Sequence, residues 1–485
     1  MWYKLSSVGL TGKMLSALQS IYSDVKCCVR INSICSEYFD VQSGLKQGCL
    51  LSPGLFNLFI NDLVYDLKNS DCGVSIGNEQ ISVLGYADDL VCVSESEEGV
   101  QSMLDILDTW CNKWNMNVNV SKTQIVHFRP MCIAKTEFNF TYRSSPIQIV
   151  SQYKYLGLIM TEFLDFSKMA YNVAQSAGRA LGLLIAKSKT YGGMPYDCFT
   201  RLFDSLVQPI IDYGAAIWGT KDFSCIQAVQ HRACRFFMGV GKYTPNCAVQ
   251  GDTGWLLPTN RQWLCVTRLW CHLMSMADER TNKKIFLWSL SQANHNKKNW
   301  CFRVKKFYCD IQMQHLNNPL YDFSNALQDV SEVLIEYFEI DWYDRMAHSP
   351  KLRTYRQFKQ DCKTACYLKQ VYNKNHRSAL AKFRCGVAPI RLETGRYENL
   401  PVEDRMCPTC HSEVETEEHV LIRCATYRDV REDLFLYAES LNDDFMTFDD
   451  IDKLLFVLND ERMTYVSAKT CYLILMARRS FLYGF

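Results

Sequence analysis

Four residues, Tyr86-Ala87-Asp88-Asp89, sit between two apolar runs, Val83-Leu84-Gly85 and Leu90-Val91-Cys92-Val93. Apolar runs on both sides of a short polar step predict a hairpin over residues 81–94, in a half-buried sheet. Two adjacent carboxylates repel each other by about 1 kcal/mol at 4 Å in water, and by more when partly desolvated. A bound cation removes that cost. Phosphoryl transfer uses such an arrangement, with divalent ions held by carboxylates and clamping the attacking and leaving oxygens. A solvated Asp-Asp turn is the plain alternative, so the surroundings decide.

Upstream lies Gly44-Leu45-Lys46-Gln47-Gly48-Cys49-Leu50-Leu51-Ser52-Pro53. Its two glycines permit close backbone approach to a ligand. Ser52-Pro53 should open a helix carrying Leu55, Phe59, Asp62 and Leu63 and ending near Asn69. Residues 11–23 read as a helix and 25–31 as a strand. Ser96, with Glu97 and Glu98 behind it, should start a further helix through Trp110 and Trp114. Asn119-Val120-Ser121-Lys122-Thr123 and Tyr155-Leu156-Gly157 follow. These four motifs, in this order, resemble the reverse transcriptase of a non-LTR (LINE-like) retrotransposon. The resemblance is strong over residues 1–165 and looser beyond them.

That resemblance implies RNA-directed DNA polymerisation from dNTPs, with an RNA template and a DNA primer or target. It places Gly44, Gln47 and Gly48 under the incoming nucleotide and template. Asp88 and Asp89 become the Mg²⁺ ligands and catalytic pair. Lys122 approaches the triphosphate, as a point charge suited to phosphate. Tyr155, Leu156 and Gly157 correspond to the primer grip. The family also places another carboxylate in a Phe-x-Asp-type motif before the glycine segment. Asp24 and Asp40 precede that segment here, and neither matches. The expectation is therefore a chain lacking the first catalytic Asp motif and the fingers, and inactive by itself. A catalytically inactive nucleic-acid-binding remnant is the alternative.

Near the other end, Cys407, Cys410, His419 and Cys424 give the spacing C-x2-C-x8-H-x4-C. Three thiolates and an imidazole are the ligand set of a closed, tetrahedral structural Zn²⁺ site. His411 competes with His419; the spacing, and a similar element that follows the polymerase in this family, favour His419. Before the cluster, residues 351–400 hold twelve Lys/Arg against three acids, whereas residues 401–460 hold sixteen acids against five Lys/Arg. Tyr355, Phe358, Tyr367, Tyr372 and Phe383 interleave with Lys359, Lys363, Lys369, Lys374, Arg377, Lys382, Arg384 and Arg391. This is either an RNA or single-strand surface, cations for phosphates and rings for bases, or a solvated helix face over core aromatics. Lys297, Lys298, Trp300, Arg303, Lys305, Lys306 and Phe307 pose the same choice on a smaller scale.

The fold class expected is α+β. Residues 1–165 form a partial polymerase palm, an antiparallel sheet with helices. Residues 166–290 form a helical thumb-like region, and the polar stretch 291–350 a linker. Residues 351–485 combine a basic helical segment, the Cys-Cys-His-Cys element and acidic C-terminal helices. Composition permits this, because hydrophobic residues make up 48% and charged residues 22% of the chain. No apolar window is long enough to span a membrane, and the 23 cysteines mostly lie in apolar runs. Both features point to an intracellular setting, cytoplasm or nucleus, with reduced thiols.

Overall fold

A computed structural model describes residues 1–41, 44–46, 48–294 and 296–484. They divide into two compact units, Met1–Asp165 and Phe166–Phe485. Among the described residues, no helix is long and apolar enough to cross a membrane.

In the first unit, two helices carry the hairpin. Ser52–Lys68 starts with Pro53 in its first turn and buries Leu55, Leu63 and Leu67. Glu97–Trp114 is capped by Ser96, whose hydroxyl accepts from the Gly99 amide at 3.0 Å. It ends on Asn115 in the left-handed conformation. Its Met103, Trp110 and Cys111 join Leu63, Leu67 and Val83 in one core, with Leu90 and Cys92 packed against it. The N-terminal helix Trp2–Ser7 is pinned through Lys4. Its ammonium lies 2.7 Å from Asp62 Oδ1 and faces the rings of Phe59, Trp110 and Trp114 at 4.2, 4.7 and 3.9 Å. Trp110 Nε1 donates to the same Asp62 oxygen at 2.8 Å. A buried cation on aromatic faces gains about 1–2 kcal/mol or more; burial lowers the Lys4 ammonium below its ordinary value and Asp62 opposes that shift.

The sheet differs from the expected one. Instead of one antiparallel sheet, the described strands form seven two-stranded ladders, and one of them, Gln124–Val126 with Gln148–Val150, is parallel. Each strand is two to four residues long. Tight turns with positive φ at Asn32-Ser33, Arg143-Ser144 and Leu156-Gly157 cut the chain into these short pieces. Isolated two-stranded hairpins are marginal in water, so they lean on helices. Thus Phe140, Tyr142 and Ile147 pack on Val100 and Leu104 of the Glu97–Trp114 helix.

The second unit is helical, and it overturns the expected linker. Residues 291–350 contain the helices Trp300–Asp310 and Ala326–Ala347. Val304, Tyr308, Val330 and Leu334 are core residues beside Val266, Trp270 and Phe286. Trp270 Nε1 donates to the Leu316 carbonyl at 2.9 Å, and Trp342 Nε1 to that of Cys247 at 2.7 Å. Ala326, Val330, Leu334, Phe338, Trp342 and Met346 recur every fourth residue and are all buried, while Ile335, Tyr337 and Ile340 on other faces stay exposed.

Candidate functional site

The carboxylate hairpin is built as its sequence suggests. Val83–Tyr86 pairs antiparallel with Asp89–Cys92, in the register Val83 to Cys92 and Tyr86 to Asp89. That register leaves Ala87 and Asp88 as a two-residue turn. Ala87 holds φ +53° and Asp88 does not share the positive φ. Hairpin turns need such a residue because it matches the right-handed twist of the strands. A non-glycine there stores roughly 1 kcal/mol or more of backbone strain. The buried base of the hairpin, Val83 with Cys92 behind it, supports this. Burial pushes the Cys92 thiol up to about 11, so it stays neutral. Asp88 and Asp89 are both exposed at the tip, where water or a hard cation can reach their oxygens.

The other expected segments are built as local turns. Tyr155 ends the strand Gln152–Tyr155, and Leu156 and Gly157, at φ +45° and +82°, turn it into Leu158–Thr161. Partial burial and, after it, the charge of the Asp89 carboxylate push the Tyr155 phenol above its ordinary value. Lys122 lies in a tight turn in which the amides of Lys122 and Thr123 donate to the Asn119 carbonyl at 3.0 and 3.1 Å. Tyr153, on the Tyr155 strand, donates to the Lys122 carbonyl at 3.4 Å. Gly44 and Gly48 take φ +97° and +80°, and space where a Cβ would sit is open at both. Ser52 Oγ donates to the Lys46 carbonyl at 2.7 Å and bonds Tyr22 Oη at 2.9 Å, tying the segment to the start of its helix. Gln47 lies outside the described residues. No third carboxylate joins Asp88 and Asp89 in a metal-holding group among the described residues.

The second candidate site is a single cluster. The ligand atoms of Cys407, Cys410, His419 and Cys424 lie within 4.8 Å of one another. Bonds of about 2.3 Å to sulfur and 2.0 Å to nitrogen at tetrahedral angles would place such atoms roughly 3.5–3.8 Å apart, so the donor set fits one tetrahedral ion. Local structure explains the convergence. Cys407 and Cys410 sit on a knuckle closed by the His411 amide donating to the Cys407 carbonyl at 3.0 Å. His419–Arg423 forms a π-helical turn, with the Cys424 amide donating to the His419 carbonyl at 2.7 Å. A π turn aligns residues five apart, the spacing of His419 and Cys424. His411 is exposed on the knuckle at φ +56° and stays outside the cluster.

The electrostatics suit a thiolate site. Burial alone would push the Cys407 thiol up; hydrogen bonding to His419, Thr409 and the Cys410 amide outweighs it and brings the group down to about 6. Burial likewise disfavours a charged His419, but Cys407 and Glu413 raise it to about 9. Glu413 Oε1 stands 2.8 Å from His419 Nδ1, where a carboxylate orients a metal-ligating imidazole.

The reverse transcriptase (RNA-dependent DNA polymerase) family matches residues 3–160. The N-terminal unit is a reverse transcriptase domain. The chain is 24% identical over 263 residues to the RNA-directed DNA polymerase from mobile element jockey of Drosophila funebris, covering 52% of this chain and 28% of that protein. It is 27% identical over 258 residues to the probable RNA-directed DNA polymerase from transposon BS of Drosophila melanogaster, covering 48% of this chain and 26% of that one. It is 31% identical over 153 residues to the Pol polyprotein of the type-2 retrotransposable element R2DM of the same fly, covering 30% and 14%. The chain therefore spans about a quarter or less of these relatives. The resemblance to non-LTR reverse transcriptases that the motifs carry is borne out.

C-terminal to the reverse transcriptase domain, the basic-aromatic stretch before the Cys/His cluster is divided between interior and surface. Lys359, Arg377 and Arg384 are buried, as are Tyr355, Phe358, Tyr367 and Phe383. Arg384 donates to buried Asp252 at 3.0 and 3.2 Å, and Tyr355 and Tyr367 donate to the same carboxylate at 3.1 and 2.9 Å. Charge counting along the sequence cannot see this, because the partner lies more than a hundred residues upstream. Lys363, Lys369, Lys374 and Tyr372 remain at the surface.

Proposed function

We propose that this chain serves RNA-directed DNA synthesis in a non-LTR retrotransposon, copying an RNA template from a DNA primer with dNTPs. The observation that carries the reading is the reverse transcriptase match over residues 3–160, a span that contains the Asp88-Asp89 hairpin. Asp88 and Asp89 would hold Mg²⁺, which when bound neutralises charge on the phosphoryl oxygens. Two exposed carboxylates on a braced turn suit a hard cation that keeps several waters. Tyr155, Leu156 and Gly157 position the primer end. Lys122 places its charge toward the triphosphate. Gly44 and Gly48 let the backbone approach the nucleotide, and the resemblance to the family extends that role to Gln47. Cys407, Cys410, His419 and Cys424 would hold a structural Zn²⁺ that stiffens the C-terminal part.

Primer extension on an RNA template with Mg²⁺ and dNTPs tests this reading. Template-dependent extension by the chain that disappears in Asp88→Ala supports it. A second reading, a nucleic-acid-binding chain without catalysis, is favoured by the lack of a third carboxylate beside Asp88 and Asp89 among the described residues. Primer–template binding with no extension, unchanged in Asp88→Ala, would select that second reading.

A further inference from the structure

The second unit holds an open cleft of about 610 Å³ along the helix Ser224–Met238. Arg232, Arg235 and Lys242 line it together with Phe236 and Asn246, and no Asp or Glu does. The bias is local to this segment. Residues 223–251 contain three Lys/Arg and no acid, in a chain whose net charge is only +1. Neither Arg232 nor Lys242 has a carboxylate within 4 Å among the described residues, and both are exposed.

The cleft is held in shape from below. Arg235 Nη2 donates to the Thr244 carbonyl at 2.9 Å and to Asn246 Oδ1, which fixes the loop that carries Lys242 and Tyr243. Its Nε is buried without a hydrogen bond. Arg377 Nε donates to the Phe237 carbonyl at 3.0 Å and Ser378 Oγ to that of Gly239 at 2.6 Å, so the start of the loop is anchored on the helix Lys374–Arg384. Two aromatic faces are available beside the cations. Tyr243 is 64% exposed with the Lys242 ammonium 4.8 Å from its ring, and Lys374 stands 5.1 Å from the Phe236 ring.

We propose that this cleft is a binding site for single-stranded nucleic acid. Arg232 and Lys242, with no carboxylate beside them among the described residues, take the phosphates, and the rings next to them take unstacked bases. The volume lies in the range of about 300–1,000 Å³ that encloses a small ligand, larger than a lone phosphate needs and sufficient for a nucleotide. An acidic protein segment would use the cations and leave the two aromatic faces without a role.

The test uses the full zinc-loaded chain with fluorescein-labelled twelve-nucleotide oligo(U) and oligo(dT), read by anisotropy across salt concentrations. Arg232→Glu/Lys242→Glu should weaken binding about tenfold or more and flatten the log–log salt slope by roughly 1.4, two phosphates at about 0.7 each. Arg232→Lys/Lys242→Arg should retain binding. With 4-thiouridine in the oligo(U), photocrosslinks should reach Phe236 or Tyr243 and vanish in the charge-reversed variant. Equal binding of RNA and DNA assigns the contacts to backbone and bases, and an RNA preference adds the 2′-hydroxyl; both support the site. Unchanged affinity and slope in a charge-reversed variant that melts like the parent would overturn it. So would crosslinks only elsewhere, or a poly-glutamate peptide that binds the cleft while the oligonucleotides do not.

Discussion

Replacing Arg478 by methionine isolates the buried ion pair that ties the Cys/His element to the last helix, Thr464–Tyr483. Glu415 is fully buried, four residues before His419. It accepts from Arg478 Nε at 2.6 Å and from Nη2 at 2.8 Å, and also from the Arg391 amide. Two unit charges with centres about 4 Å apart attract by roughly 4 kcal/mol at an effective dielectric near 20. Removing one partner leaves the other charge buried, and such truncations cost about 3–5 kcal/mol. For domains of 150–250 residues each kcal/mol is worth about 2–4 °C, so the melting temperature should fall by roughly 6–20 °C, toward the lower end for a unit of this size. Differential scanning of the zinc-loaded chain reads the shift, and chelator-driven zinc release should accelerate alongside. Glu415→Gln/Arg478→Met removes the orphaned charge while an amide oxygen still accepts from Arg391, so it should recover half of the loss or more. A drop below about 2 °C, or a double variant no more stable than Arg478→Met, would refute the argument that an uncompensated carboxylate is the source of the cost.

His419→Ala should abolish stoichiometric zinc uptake, measured by elemental analysis, whereas His411→Ala should leave it at one per chain. Asp252→Asn should destabilise by about 3–5 kcal/mol at pH 7, since it removes the partner of buried Arg384. Burial would raise the Asp252 carboxyl, but Arg384 outweighs it, and the folded value lies below the ordinary one. Its contribution is therefore fully present above the unfolded value near 4 and lost only as pH falls through the lower folded value; melts at pH 7 and pH 3 should show the variant's deficit shrinking in acid. Ala87→Gly relieves the positive φ while loosening the unfolded chain, so hydrogen exchange should find the hairpin unchanged or up to about 1 kcal/mol more protected. Ala87→Val, β-branched at φ +53°, should make it clearly less protected.

What the sequence determined alone was local and covalent in origin. Apolar runs around a two-residue step specify the Asp88-Asp89 hairpin, because hairpin register follows from turn length. Ser52-Pro53 and Ser96 start their helices because caps act within one turn. The Cys/His spacing announces a ligand set whatever surrounds it. Tertiary structure decided everything that depends on a distant partner. Residues 291–350 look irregular because apolar side chains such as Val330 and Ile340 fall on several faces of their long helix; packing on Val266 and Trp270 decides which face is buried. The Lys/Arg run before the cluster reads as one surface until Asp252 arrives from upstream to pair with buried Arg384 and Glu417 from downstream engages Arg353. The π turn that brings Cys424 under His419 is likewise invisible in residue spacing, since an α turn and a π turn read alike until packing selects one. Conversely, the cleft at Arg232 and Lys242 draws its cations from an ordinary helix and loop, and it becomes a site only because folding places no carboxylate beside them.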